Sequence, residues 1–167
     1  RIVMTLGREV STKGSTFTIR RFRDEPFTPV DLLEFKTFSS MQIAFFWLAM
    51  QYGMSMLFVG GTASGKTTSL NACSLFLPWQ HKIVSIEETR ELNLPHPNWI
   101  PGCTRQGFGG EGSATGGKAA GEVDMYDLLR AALRERPEYI IVGEIRGAEA
   151  YVLFQAMATG HTTYSTF

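Results

Sequence analysis

Residues Met54 to Leu70 read MSMLFVGGTASGKTTSL, and this stretch decides the fold. An apolar run, 54–59, stops at Gly60 and Gly61, and helix-forming residues resume from Lys66. Strand, glycine turn and helix in that order open an α/β unit. The chain around it keeps alternating. Hydrophobic periodicity predicts a helix from Met41, a strand over 54–59, a helix over 66–77, a strand over 82–87, a loop, a helix over 125–135, a strand over 138–143, a helix over 148–158 and a strand over 162–167. The helix near 130 is the best marked. Met125, Leu128, Leu129, Ala132 and Leu133 share one apolar face, Arg130 and Arg134 lie off it, and Pro137 stops it. Such alternation implies a mostly parallel sheet covered on both faces.

Before this unit, residues 1–23 read as strands, with GSTFTIRRFR alternating apolar and polar into a basic cluster at Arg20, Arg21 and Arg23. DEPFTP reads as a linker and Val30 to Phe35 as a short helix, so the expected division is 1–36, the end of an N-terminal domain, and 37–167, an incomplete core. The chain opens without Met, in mid-pattern, and stops inside an expected strand. It is expected to be a C-terminally truncated piece of a longer protein.

The 167 residues suffice for one domain with a core, and 44% hydrophobic with 19% charged residues marks a folded chain. Formal net charge is zero, which gives no reason to expect nucleic acid as the main partner. Cys73 and Cys103 stand far apart, without a CxxC or neighbouring His, and read as buried or half-buried thiols. Residues 37–65 carry no charge and imitate a membrane span. A span wants roughly 20 uninterrupted apolar residues, and Gln51, Tyr52 and Gly53 break this run. It is read as a buried helix, capped by Ser39 or Ser40 and closed by Gly53, followed by a buried strand.

The glycine turn satisfies G-x-x-x-x-G-K-[ST] in the context that motif requires. Gly60, Gly61, Thr62, Ala63, Ser64, Gly65, Lys66, Thr67 and Thr68 are the expected phosphate-binding residues. Glycines let backbone N–H groups face a polyphosphate, and the following helix presents its positive end to the same anion. Lys66 brings charge to the β and γ phosphates, and Thr67 a hydroxyl to Mg²⁺. A second glycine pattern, Gly107, Gly109 and Gly112, has neither strand before nor helix directly after and reads as loop.

Hydrolysis needs a group that orients water. IVSIEETREL ends a strand with Glu87 and Glu88. YIIVGEIRG ends another with Glu144, at a place where Gly143 stands in the position most such strands give to aspartate. Ends of parallel strands meet ligands, so both acids are expected beside the phosphate loop. The residues alone do not choose between Glu87 and Glu88. His161, at the start of the last strand, is expected near the same edge of the sheet.

Together, GGTASGKTTSLNA, SIEETREL, YIIVGEIRG and MATGHTTYSTF resemble, in order, the Walker A, Asp, Walker B and His boxes of the secretion ATPase superfamily, which serves type II secretion, type IV pili, and archaeal pili and flagella. The match runs from about Phe17 to Phe167, and the wording is closest to the archaeal branch. The resemblance implies a RecA-like core and ATP hydrolysis with Mg²⁺. Lys66 and Thr67 then bind phosphate and metal, Glu144 acts on Mg²⁺ and water, Glu87 polarises the attacking water, and His161 senses the γ-phosphate or relays between subunits. Arg20, Arg21 and Arg23 approach the phosphates when domains close, and Arg105 plays a lesser part of the same kind. A hexameric ring, an integral-membrane platform protein as partner and a cytoplasmic location, peripheral at the inner face of the membrane, are also implied. Glu88 departs from the usual Asp of the Asp box, the glycine-rich stretch before Val123 looks like an insertion, and the four-cysteine zinc module of bacterial type II members is absent. A RecA-like nucleic-acid translocase and a nucleotide-gated subunit without turnover stay open as alternatives.

Overall fold

The computed structural model describes residues 2–7, 9, 12–19, 25–107 and 120–167. Arg20, Arg21, Arg23 and the glycine-rich stretch 108–119, with Gly109 and Gly112, lie outside them. Strands β1 (Ile2–Thr5) and β2 (Thr16–Ile19) form an antiparallel pair. Helix α1 (Pro29–Glu34) follows, capped by Thr28 in a reciprocal box with Asp31, and packs on the two helices that come next.

Those helices are α2 (Ser40–Gln51) and α3 (Lys66–Cys73), with strand β3 (Met56–Phe58) between them. Then come β4 (Ile83–Glu87), β5 (Trp99–Cys103), α4 (Met125–Ala132), β6 (Tyr139–Val142), α5 (Glu149–Ala158) and β7 (Thr162–Thr166). The five later strands make one sheet in the order β3-β7-β6-β4-β5, every pair parallel. The RecA-like α/β expectation is met. One face of the sheet packs Val84, Ile86, Ile140 and Val142 against Met125, Leu129, Val152 and Leu153 of α4 and α5. The other packs Ile83, Tyr139, Ile141 and Tyr164 against Met50, Leu70 and Cys73 of α2 and α3. Strands β4 and β6 are buried along their whole length, as parallel strands under helices must be.

Four expectations change. The predicted helix 66–77 is α3 plus a 3-10 turn, Ser74–Phe76, where the Ser74 hydroxyl donates to the Leu70 carbonyl at 2.7 Å; side-chain bonding of that kind competes with the helix ladder. Residues 99–103, expected as loop, form β5. Pro101 lacks a donor but sits in an edge strand, which needs none on its outer side. The stretch read as buried helix and buried strand is a helix and a strand, but each is only partly buried. In α2 only Ile43, Ala49 and Met50 are buried, while Met41 and Tyr52 are each 82% exposed. Strand β3 is the other edge of the sheet, with Leu57 exposed. The helix is bounded as expected, by a Ser39–Gln42 capping box and by Gly53 at φ +65°. Among the described residues no helix is long and apolar enough to cross a membrane. Cys73 is buried, but Cys103 is exposed rather than half-buried.

Candidate functional site

The loop after β3 is built by its small residues. Gly65 takes φ +90°, which a side chain would strain, and a Cβ at Gly60 would lie 2.7 Å from the Ser64 Oγ. Ala63 also adopts a positive φ, 59°. Alternating left-handed and right-handed residues turn consecutive N–H groups to one side, the concavity that holds anions. Helix α3 starts at Lys66 without a side-chain cap, so its first N–H groups face the same space. The Lys66 ammonium donates to the Gly60 carbonyl at 2.8 Å, arching over the loop.

Beside this loop lies a cleft of about 350 Å³ lined by Thr62 to Thr68, Glu87, Glu88, Thr89, Glu91, Met125, Gly143, Glu144 and Arg146. Strands β4 and β6 are neighbours in register, so their carboxyl ends bring Glu87 and Glu144 to one edge with the loop. Glu87 and Glu88, equivalent in the sequence reading, differ here. Glu88 is exposed, whereas Glu87 is buried at 2% exposure. The Glu87 Oε1 accepts from the N–H groups of Glu91 at 2.9 Å and Leu92 at 3.0 Å. Its Oε2 is buried and, among the described residues, has no hydrogen-bond partner. Burial pushes this carboxyl above the ordinary glutamate range; the two N–H bonds act against that rise without cancelling it. Glu144 is half-exposed and paired with Arg146, Nη2 to Oε2 at 2.5 Å. The partner carboxylate raises the pKa of the Arg146 guanidinium, first through that hydrogen bond and then through its charge.

The donor set suits Mg²⁺ held with a nucleotide. Thr67 offers a hydroxyl and Glu144 a carboxylate, both hard oxygen donors, and Mg²⁺ takes few protein ligands, completing its shell with water and phosphate. Among the described residues no group of three or more His, Cys, Asp or Glu is placed to hold a metal by itself.

Two expected residues fall elsewhere. His161 precedes β7, and Thr162 is level with Tyr139, at the start of β6. The first residue of a parallel strand lies on the edge opposite the strand ends, so His161 is not on the phosphate-loop edge as expected; five residues of strand separate it from Thr166, roughly 16 Å at about 3.3 Å each. Its Nδ1 lies 3.3 Å from the Thr159 hydroxyl. Arg105 bonds the Gly121 carbonyl at 2.8 Å and lines a second cleft. The sequence reading missed Arg146, Thr89 and Glu91 as lining residues. Arg146 carried a signal, a cation two residues after Glu144; the N–H groups that hold Glu87 carried none.

The profile of the family described as Type II/IV secretion system protein matches residues 7–167. An uncharacterized protein of Methanocaldococcus jannaschii is 48% identical over 167 residues, all of this chain and 29% of that protein. The type IV secretion system protein PtlH of Bordetella pertussis is 43% identical over 119 residues, 71% of this chain and 33% of PtlH. The crystal structure of the VirB11 ATPase from the Brucella suis type IV secretion system, in complex with sulphate, superimposes with TM-score 0.61 at 29% identity, covering 89% of this chain and 41% of that one. The pilus retraction motor PilT with bound ADP shares the fold, with TM-score 0.63 at 22% identity over 100% of this chain and 47% of PilT. The chain thus spans less than half the length of each of these proteins. Matched over nearly its whole length, it belongs to the type II/IV secretion system protein family, the secretion ATPase superfamily.

Proposed function

We propose that this chain is the nucleotide-binding part of a motor subunit that binds and hydrolyses ATP to power protein secretion or the assembly of a pilus or flagellum. The observation that carries the reading is one cleft that holds the phosphate loop, a buried carboxylate with one oxygen unpartnered among the described residues, and a second, partly exposed carboxylate. Residues Gly60 to Thr68 cradle the phosphates with backbone N–H groups. Lys66 leaves the Gly60 carbonyl for the β and γ phosphates. Thr67, with Glu144 through water, would hold Mg²⁺, which when bound supplies charge neutralisation at the phosphate oxygens. Glu87 takes the proton of the attacking water on Oε2, because Oε1 is already committed to two N–H groups. Arg20, Arg21 and Arg23 are proposed to stabilise transition-state charge from the N-terminal side. The working form is a six-membered ring of identical subunits at the cytoplasmic face of the membrane, acting on an integral-membrane platform protein and not on nucleic acid.

The test is ATP turnover by the full-length protein, measured against its oligomeric state. Lys66→Ala should weaken ATP binding by about 10- to 100-fold, the value of a charged hydrogen bond of about 1.5–3 kcal/mol. Assembled wild-type protein that binds ATP without turning it over would favour the nucleotide-gated alternative.

A further inference from the structure

Gly143 occupies the place after β6 where an aspartate is common, and the packing around it explains the exchange. A Cβ at Gly143 would lie 3.1 Å from the Cγ of Glu87, and 3.6 Å from both the Glu87 Cβ and the Ile86 carbonyl oxygen. The Glu87 side chain therefore lies across residue 143, in space that any side chain there would enter. Both parties are held by hydrogen bonds. The Gly143 N–H donates to the Ile86 carbonyl at 2.9 Å, and its own carbonyl accepts from the Thr166 hydroxyl at 2.5 Å. Thr166 is fully buried at the end of β7, and its carbonyl accepts in turn from the Ile145 N–H at 3.0 Å. On the other side, two backbone N–H groups hold the Glu87 Oε1.

We propose that Gly143 is a positioning residue: by lacking a side chain it lets Glu87 lie against β6 with Oε2 kept for the attacking water, and the Thr166 hydroxyl clamps the Gly143 peptide at that spacing. The proposal rests on the reading of Glu87 as the base. An aspartate at 143 would both invade this space and set a second carboxylate against the first. The acid of this strand has to come one residue later, at Glu144, clear of the Glu87 side chain. The sequence position of the second acid is in this way a steric consequence of where the first one lies.

The experiment uses full-length protein and compares kcat, KM for ATP, and affinity for a non-hydrolysable ATP analogue among Gly143→Ala, Thr166→Val, Thr166→Ser and Glu87→Gln. Relief of the contact moves Glu87 by a few tenths of an ångström, and about 1 Å of misplacement costs roughly 100-fold. Gly143→Ala is therefore expected to lower kcat about tenfold, with KM and analogue affinity within about twofold of wild type. Thr166→Val should lower kcat by a smaller factor, and Thr166→Ser, which keeps the hydroxyl, should restore it. Wild-type kcat in Gly143→Ala and Thr166→Val alongside an inactive Glu87→Gln would overturn the proposal and leave the base assignment standing. Wild-type kcat in Glu87→Gln would remove the base assignment, and the proposal with it. Analogue affinity lost in step with kcat would show a structural role only, and also overturn it. If Gly143→Ala does not fold, the Thr166 pair decides alone: equal kcat for the Val and Ser variants sinks the proposal.

Discussion

At the end of β4 the carboxylate of Glu87 is out of solvent, with one oxygen bound to two backbone N–H groups and the other unbonded. At the end of β6, the neighbouring strand, the side chain of Glu144 is 41% exposed and bonded to a guanidinium that is itself 67% exposed. The first acid is held and desolvated; the second is partly exposed and paired with a guanidinium that is itself open to solvent. A base gains from a fixed position and a raised pKa, both of which improve proton transfer. A residue that reaches a metal through water gains from hydration. The two environments divide the work that neither the sequence nor the bare presence of two acids could divide.

The strongest way to break this division is to neutralise each acid in turn in the full-length protein. Glu87→Gln keeps an oxygen for the N–H groups of Glu91 and Leu92 but removes the base, so kcat should fall by about 10²–10⁴-fold. The same change should raise the melting temperature at pH 7. The folded-state pKa of Glu87 lies above its unfolded value, so the ionised form costs the fold stability once pH rises through that window, and Gln does not ionise. Loss of activity with gain of stability separates a functional carboxylate from a structural one; a fall in both would count against the assignment. Glu144→Gln should instead raise the Mg²⁺ concentration needed for half-maximal turnover and leave the melting temperature within about 1 °C, as for a surface substitution.

A second effect is expected in the pH profile. The acid limb of kcat should lie above the ordinary glutamate value of 4.5, because burial holds Glu87 protonated to higher pH. It should be absent from the residual activity of Glu87→Gln. A limb at 4.5 or below would mean that the exposed acid, not the buried one, governs turnover.

Much of this site was legible because its determinants are local. The phosphate loop is fixed by glycines within nine residues, and α4 by an apolar stripe whose residues sit close together in the chain. What stayed hidden depends on distant partners. Residues 99–103 hold Pro101, and nothing nearby in the chain shows that their strand is an edge that tolerates it. The uniformly apolar α2 implied burial, but among the described residues it is covered only in part, by α1, α3, the Ser74–Phe76 turn and the sheet. Glu87 and Glu88 are adjacent and chemically alike; the family resemblance singles out Glu87, and the physical difference between them is the packing over Gly143 and the turn at residues 91 and 92. His161 was misplaced by a topological slip: a parallel strand begins on the edge opposite the one where it ends.

The ion pair between Arg146 and Glu144 sharpens the comparison at smaller scale. An exposed pair contributes about 0–1 kcal/mol. Arg146→Ala should therefore leave stability unchanged, and it releases a carboxylate that the guanidinium otherwise occupies. The Mg²⁺ concentration for half-maximal turnover should fall by up to about fivefold, the equivalent of 1 kcal/mol. If it rises instead, Arg146 serves the bound nucleotide more than it restrains Glu144.

The smallest effect is expected at His161, and it tests the geometry of the sheet itself. The imidazole sits by Thr159 at the start of β7, five residues of strand from the edge that carries Glu144 and the phosphate loop. An electrostatic influence over roughly 16 Å is largely screened, since the Debye length at physiological salt is about 8 Å. His161→Ala should leave the affinity for a fluorescent ATP analogue within about twofold when full-length protein is held below its assembly concentration. A tenfold loss under those conditions would mean that the imidazole reaches the nucleotide of its own subunit, which this strand order does not allow. A loss that appears only on assembly would carry His161 to a neighbour's nucleotide instead, and would make the far edge of the sheet the face that subunits share.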